Sequence, residues 1–106
     1  MPIRQKTRQN LTALQAIMHE LALWQSVPPA EEAFLSEQPF AIDTMSATEW
    51  LQWIFIPRMH ALLDSEHPLP TQIAVVPYIE EALKEQERLA ELLRPIIEIE
   101  QLLKHQ

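Results

Sequence analysis

The chain has 106 residues, 47% of them hydrophobic, a net charge of −7, nine prolines, and neither glycine nor cysteine. That length supports one domain around one modest core, and that apolar content a folded globule. The missing glycines exclude a P-loop, a dinucleotide fingerprint and a G-x-S-x-G elbow; the missing cysteines exclude disulfides, thiolate nucleophiles and Cys-ligated zinc.

Arg4, Lys6 and Arg8 make the first turns positive, and no apolar signal-peptide core follows them. Leu11, Leu14, Met18 and Leu21 then recur at three- and four-residue steps, flanked by Ile17 and Trp24. The spacing predicts an amphipathic helix from about Arg4 to Gln25, stopped by Pro28-Pro29. Ser26 to Met45 is too long for an idle loop. Its Phe34, Leu35, Phe40 and Ile42 are expected to lie across the bundle as a lid, with a helical turn or two at Ala30 to Ser36 behind Pro29.

Ser46-Ala-Thr-Glu49 is a capping box, with Met45 and Trp50 at the hydrophobic-staple positions. The helix it starts should run to about Asp64. Apolar residues cover nearly every side of it, so it is central in its bundle or covered by a partner. Pro57 removes a donor within it and predicts a kink. Ser65 to Thr71 is a proline-stiffened connector. A third helix follows to about Leu83, broken or restarted near Pro77. The polar patch Lys84 to Arg88 marks a joint or an exposed face. A last helix, from about Glu87 to Lys104, carries Pro95 and a second expected kink. The whole reads as an all-α, four-helix up-and-down bundle with a long lid-like segment between helices one and two, one domain over residues 1–106.

Several groups invite a chemical reading. From Gln9 to Leu83, Arg58 is the only Lys or Arg among many acids. That segment repels a phosphate backbone, so no direct nucleic-acid binding is expected from it. Arg58 either forks onto Asp43, Glu49 or Asp64 inside the chain, or meets a partner's carboxylate or phosphate. Trp50 and Trp53 are core residues or, with Arg58 and Met59, a protein-binding hot spot. His60, Asp64 and His67 have ligand-like spacing but too few donors for a metal; a His60–Asp64 hydrogen bond explains them more simply. Glu80, Glu81, Glu85 and Glu87 read as a solvated face rather than acid–base pairs. No cofactor, metal or catalytic residue is expected.

Gln38-Pro39-Phe40, Asp43-Thr44-Met45, Glu49-Trp50-Leu51-Gln52-Trp53 and Ile56-Pro57-Arg58-Met59-His60 together resemble the YqcC-like family of small bacterial proteins. Leu62-Leu63-Asp64, Pro68-Leu69-Pro70 and Pro77-Tyr78 extend the match, which covers about the middle half of the chain. The resemblance implies a compact helical bundle and a link to tRNA pseudouridine synthase C, as an accessory partner rather than as the enzyme, whose fold resembles a large α/β architecture.

The expectation is therefore a cytoplasmic, non-enzymatic protein-interaction module with no membrane segment. Its protein partner would be a tRNA pseudouridine synthase C-type enzyme, and a homo-oligomer is the other possible assembly. Phe40, Asp43, Trp50, Trp53, Arg58 and Met59 are the expected partner-binding residues. At least one of Trp50, Trp53 and Met59 should be partly exposed. The alternative is a bundle that binds a small apolar ligand, with a pocket between Trp50, Trp53 and Phe40 near the Pro57 kink.

Overall fold

The apolar stripe of the first segment builds helix α1 (Ile3–Glu20) in the computed structural model, which describes residues 2–106. Its buried face carries Thr7, Leu11, Leu14 and Met18. The helix stops five residues short of the expected Gln25. Leu23 N–H donates to the Met18 carbonyl at 2.8 Å and Ala22 N–H to the His19 carbonyl at 3.0 Å. With Ala22 at φ 61°, this is a Schellman stop built on alanine. Pro28-Pro29 therefore comes after the helix has already ended.

The segment expected to form a lid contains a 3-10 turn over Glu31–Leu35 and another over Pro39–Ala41. The second turn is held in an unusual backbone: Phe40 has φ 59° and Ala41 φ 48°. Two side chains tie the turns together. The Ser36 hydroxyl donates to the Asp43 carboxylate, and the Thr44 hydroxyl donates to the Ala33 carbonyl at 2.8 Å.

The predicted capping box is present. The Ser46 hydroxyl accepts from Glu49 N–H at 3.2 Å, and the Glu49 carboxylate accepts from Ser46 N–H at 2.9 Å. Met45 and Trp50, the staple pair, are both buried. The helix they start has three parts: α2 (Ala47–Trp50), a π-helical turn (Leu51–Phe55) and α3 (Ile56–Asp64). The irregularity expected at Pro57 is thus a widened turn just ahead of it. A π-turn inserts one residue into the ladder, one turn ahead of a proline that has no N–H to offer the Trp53 carbonyl. It also re-phases the buried face, so that Leu51 and Ile56, five apart, are both buried.

Arg4 of α1 closes the carboxyl end of α3. Its guanidinium donates to the carbonyls of Leu62, Leu63, Ser65 and His67, at 3.2, 3.1, 3.3 and 2.8 Å. These include orphan acceptors of a helix end, where positive charge is favoured. Helix α4 (Val76–Ala82) is short and has Pro77 in its first turn. Its amino end is capped from another helix: the Glu100 carboxylate accepts from Val75 and Val76 N–H at 2.7 and 2.9 Å. Helix α5 (Leu89–Lys104) begins after a left-handed Arg88 and continues through Pro95, whose ring is buried.

Counting α2, the π-turn and α3 as one, four helices make an all-α fold, with no strand among the described residues. The most extensive contact is between α1 and α5, the first and last elements. Helix α3 packs on α1, and α4 packs on α5 and α2. One continuous core joins Leu11, Leu14 and Met18 to Leu51, Phe55, Met59, Ile79, Leu92, Ile96, Ile99 and Leu103.

Candidate docking surface

The six residues expected at a partner-binding face divide between interior and surface. Trp50 (8% exposed) and Met59 (4%) are core side chains. Trp50 closes on Phe55 at 5.4 Å and on Phe40 at 5.0 Å, and Phe40 stacks on Tyr78 at 4.3 Å. Partial burial of Tyr78 in this cluster pushes its hydroxyl pKa above the ordinary tyrosine value. Trp53 is half-buried, and Asp43 and Arg58 are exposed.

Trp53 is positioned by a polar junction. The buried Gln52 amide donates to the Gln25 carbonyl at 2.7 Å and accepts from Gln25 N–H at 2.8 Å. The Gln25 side chain in turn accepts from the Trp53 indole at 3.0 Å. This junction fastens the chain after α1 to the π-turn.

The expected bridge from Arg58 to Asp43, Glu49 or Asp64 is not made, because other groups already occupy each acid. Asp43 takes Ser36, Glu49 takes the Ser46 backbone, and Asp64 pairs with Arg8 at 2.8 Å. Arg8 also donates to His60 Nδ1 at 3.2 Å. A guanidinium has no acceptor, so Nδ1 is the unprotonated nitrogen. The expected His60–Asp64 hydrogen bond is thus replaced by Arg8, which holds both side chains from α1. Arg4 and Arg8 are thus both engaged by groups of the α3 end, although Arg8 stays exposed.

The lid expectation fails for most of its apolar residues. Phe40 is packed, but Leu35 (77% exposed), Ile42 (59%) and Phe34 (42%) face solvent, as does Val27 upstream. The acids Glu31, Glu32, Glu37 and Asp43 are exposed on the same stretch. The surplus apolar surface of this molecule lies on the connector rather than on the aromatic helix.

Where a pocket was expected between Trp50, Trp53 and Phe40, the rings of Trp50 and Phe40 meet edge to face at 5.0 Å. Beside Pro57 there remains an open groove of about 480 Å³, lined by Trp24, Trp53, Ile56 and His60. A larger open groove of about 620 Å³ runs between residues 71–76 and α5, with Ile73, Val76 and Ile97 along it and Lys104 at its side. Among the described residues, no group of three or more His, Asp or Glu side chains could hold a metal, and no helix is long and apolar enough to cross a membrane.

Residues 6–102 match the family described as DUF446: tRNA pseudouridine synthase C. The chain belongs to the DUF446 family. An uncharacterized protein of Haemophilus influenzae is 60% identical over 100 residues, 94% of each chain. YqcC of Escherichia coli is 48% identical over 83 residues, 78% of this chain and 76% of YqcC. The solution NMR structure of YqcC superposes with a TM-score of 0.86 at 41% identity, covering 98% of this chain and 90% of that one. A Pectobacterium carotovorum protein named tRNA pseudouridine synthase C is 57% identical over 65 residues, which are 61% of this chain but 17% of that protein.

In this DUF446 chain, sequence reasoning overlooked the Gln25–Gln52 junction and the carbonyl clamp of Arg4. Both are long-range polar contacts between residues with no local signature. The exposure of Leu35 and Ile42 could have been suspected, since their neighbours Glu31, Glu32, Glu37 and Asp43 are poor companions for a buried lid.

Proposed function

We propose that this chain is a non-enzymatic, cytoplasmic interaction module, an accessory partner of a tRNA pseudouridine synthase C-type enzyme. The observation that carries this is the Pectobacterium match. In that protein a stretch 57% identical to this chain makes up 17% of a much longer polypeptide bearing the synthase name. Two activities joined in one chain are held at high effective concentration, which suits partners that work side by side. The exposed apolar residues of the connector supply a surface of the kind that marks an interaction site. Phe40 and Asp43 belong to that connector, Asp43 bracing it through Ser36, whereas Trp50, Trp53, Arg58 and Met59 lie on the aromatic helix and are left out of the proposed face.

The test is calorimetric titration of the purified chain into the purified tRNA pseudouridine synthase C of the same cell. Saturable binding is expected, weakened at least ~10-fold by the double change Leu35→Ser and Ile42→Ser, which corresponds to more than ~1.4 kcal/mol. No heat of binding with the wild-type chain sinks the reading.

The groove between residues 71–76 and α5 favours a second reading, a small ligand with an apolar body and an anionic head for Lys104. Saturable quenching of a fluorescent fatty acid, abolished by Ile97→Asp, would establish it.

A further inference from the structure

We propose that the connector face centred on Phe34, Leu35 and Ile42 docks on a protein surface that is apolar at its middle and basic around it. The proposal rests on the docking reading above and adds the chemistry of the partner. Phe34, Leu35 and Ile42 lie on two turns held in one piece by the Ser36–Asp43 and Thr44–Ala33 hydrogen bonds. The apolar group is therefore presented on an ordered support, which lowers the conformational cost of binding. Glu31, Glu32 and Glu37 are exposed on the same turns.

Charge selects the occupant. From Gln9 to Leu83 the chain carries ten acids and one basic residue, Arg58, which is distant in sequence from these turns. A second copy meeting this face with its own would bring like charge against like charge, which suppresses that pairing in a desolvated interface. A nucleic acid is rejected on the same ground. A basic rim on a partner pairs with all three glutamates while its apolar centre covers Leu35 and Ile42. Proteins that bind RNA carry such basic surfaces, so an RNA-modifying enzyme has the required chemistry.

The experiment uses the full chain and the full-length tRNA pseudouridine synthase C of the same cell, titrated at ~0.05 M and ~0.5 M salt, where screening lengths differ about threefold. Four variants are compared: Leu35→Ser, Ile42→Ser, the triple change Glu31→Gln, Glu32→Gln, Glu37→Gln, and Arg58→Gln as a charge control. Circular dichroism melts verify that each is folded; all these side chains are exposed. The triple change should weaken binding ~10-fold or more at low salt, with the gap closing at high salt. Each serine variant should weaken it at both salts, and Arg58→Gln should not. A triple variant that binds like wild type at both salts overturns the basic-partner proposal while leaving the docking reading intact. Serine variants that bind normally overturn this face. A wild-type chain that does not bind overturns both. Sedimentation showing a dimer that Leu35→Ser dissociates makes the occupant a second copy and also overturns the proposal.

Discussion

Ala22 occupies a position that most chains reserve for glycine. Its left-handed backbone completes the Schellman stop of α1, and a Cβ there costs about 1–2 kcal/mol. Ala22→Gly should therefore raise stability by about 0.5–1 kcal/mol, after the extra freedom of glycine in the unfolded chain is deducted, read as a higher urea midpoint at unchanged slope. Arg88 is the other left-handed residue next to a helix end, and it joins two elements. Its guanidinium donates to Glu20 of α1 at 2.8 Å and to Glu91 of α5 at 3.2 Å. These carboxylates hold the Arg88 pKa above its ordinary value, and Arg88 holds the Glu91 carboxyl below the usual glutamate range. A lowered acid pKa contributes stability that is complete above the unfolded value and disappears as pH falls through the folded one. The melting temperature of the wild type should thus fall more steeply than that of Arg88→Met on acidification from about pH 5 to 3. Parallel curves would show that the pair contributes nothing.

At the scale of elements, the capping box decides where the aromatic helix begins. Ser46→Ala removes one of the two reciprocal hydrogen bonds and should cost about 1 kcal/mol in chemical denaturation. An unchanged midpoint would mean that the Met45–Trp50 staple sets the start alone. This helix was legible in the sequence because its signals are local: a serine, a glutamate three residues on, and apolar neighbours. The same holds for the 3-10 turn behind Pro29 and for Pro77 in the first turn of α4. The end of α1 was not legible, because a Schellman stop normally announces itself with glycine and this chain has none. The π-turn was half legible. Pro57 signalled an irregularity, but whether the ladder bends or takes in an extra residue depends on which face the rest of the molecule needs buried. The site followed the same division. The aromatic residues were recognisable as a cluster, yet their burial against Phe40 and Tyr78 is a tertiary outcome. The sole cation of the middle segment was identified, but its freedom from Asp43, Glu49 and Asp64 depends on Ser36, Ser46 and Arg8, which reach those acids first.

For the molecule as a whole, the contact between α1 and α5 is the largest, and the salt bridge from Arg88 to Glu20 and the clamp of Arg4 on α3 are also long-range. The fold is helical in content but its ends meet, so local helix formation cannot complete it. On the ribosome, α1 is made before its main partner α5, with residues 21–88 between them. At bacterial rates of up to about 20 residues per second, α1 waits at least several seconds with Leu11, Leu14 and Met18 uncovered. The nascent chain therefore carries this apolar stripe without its α5 partner while residues 21–88 are being made. Final closure belongs to the moment at which α5 clears the exit tunnel.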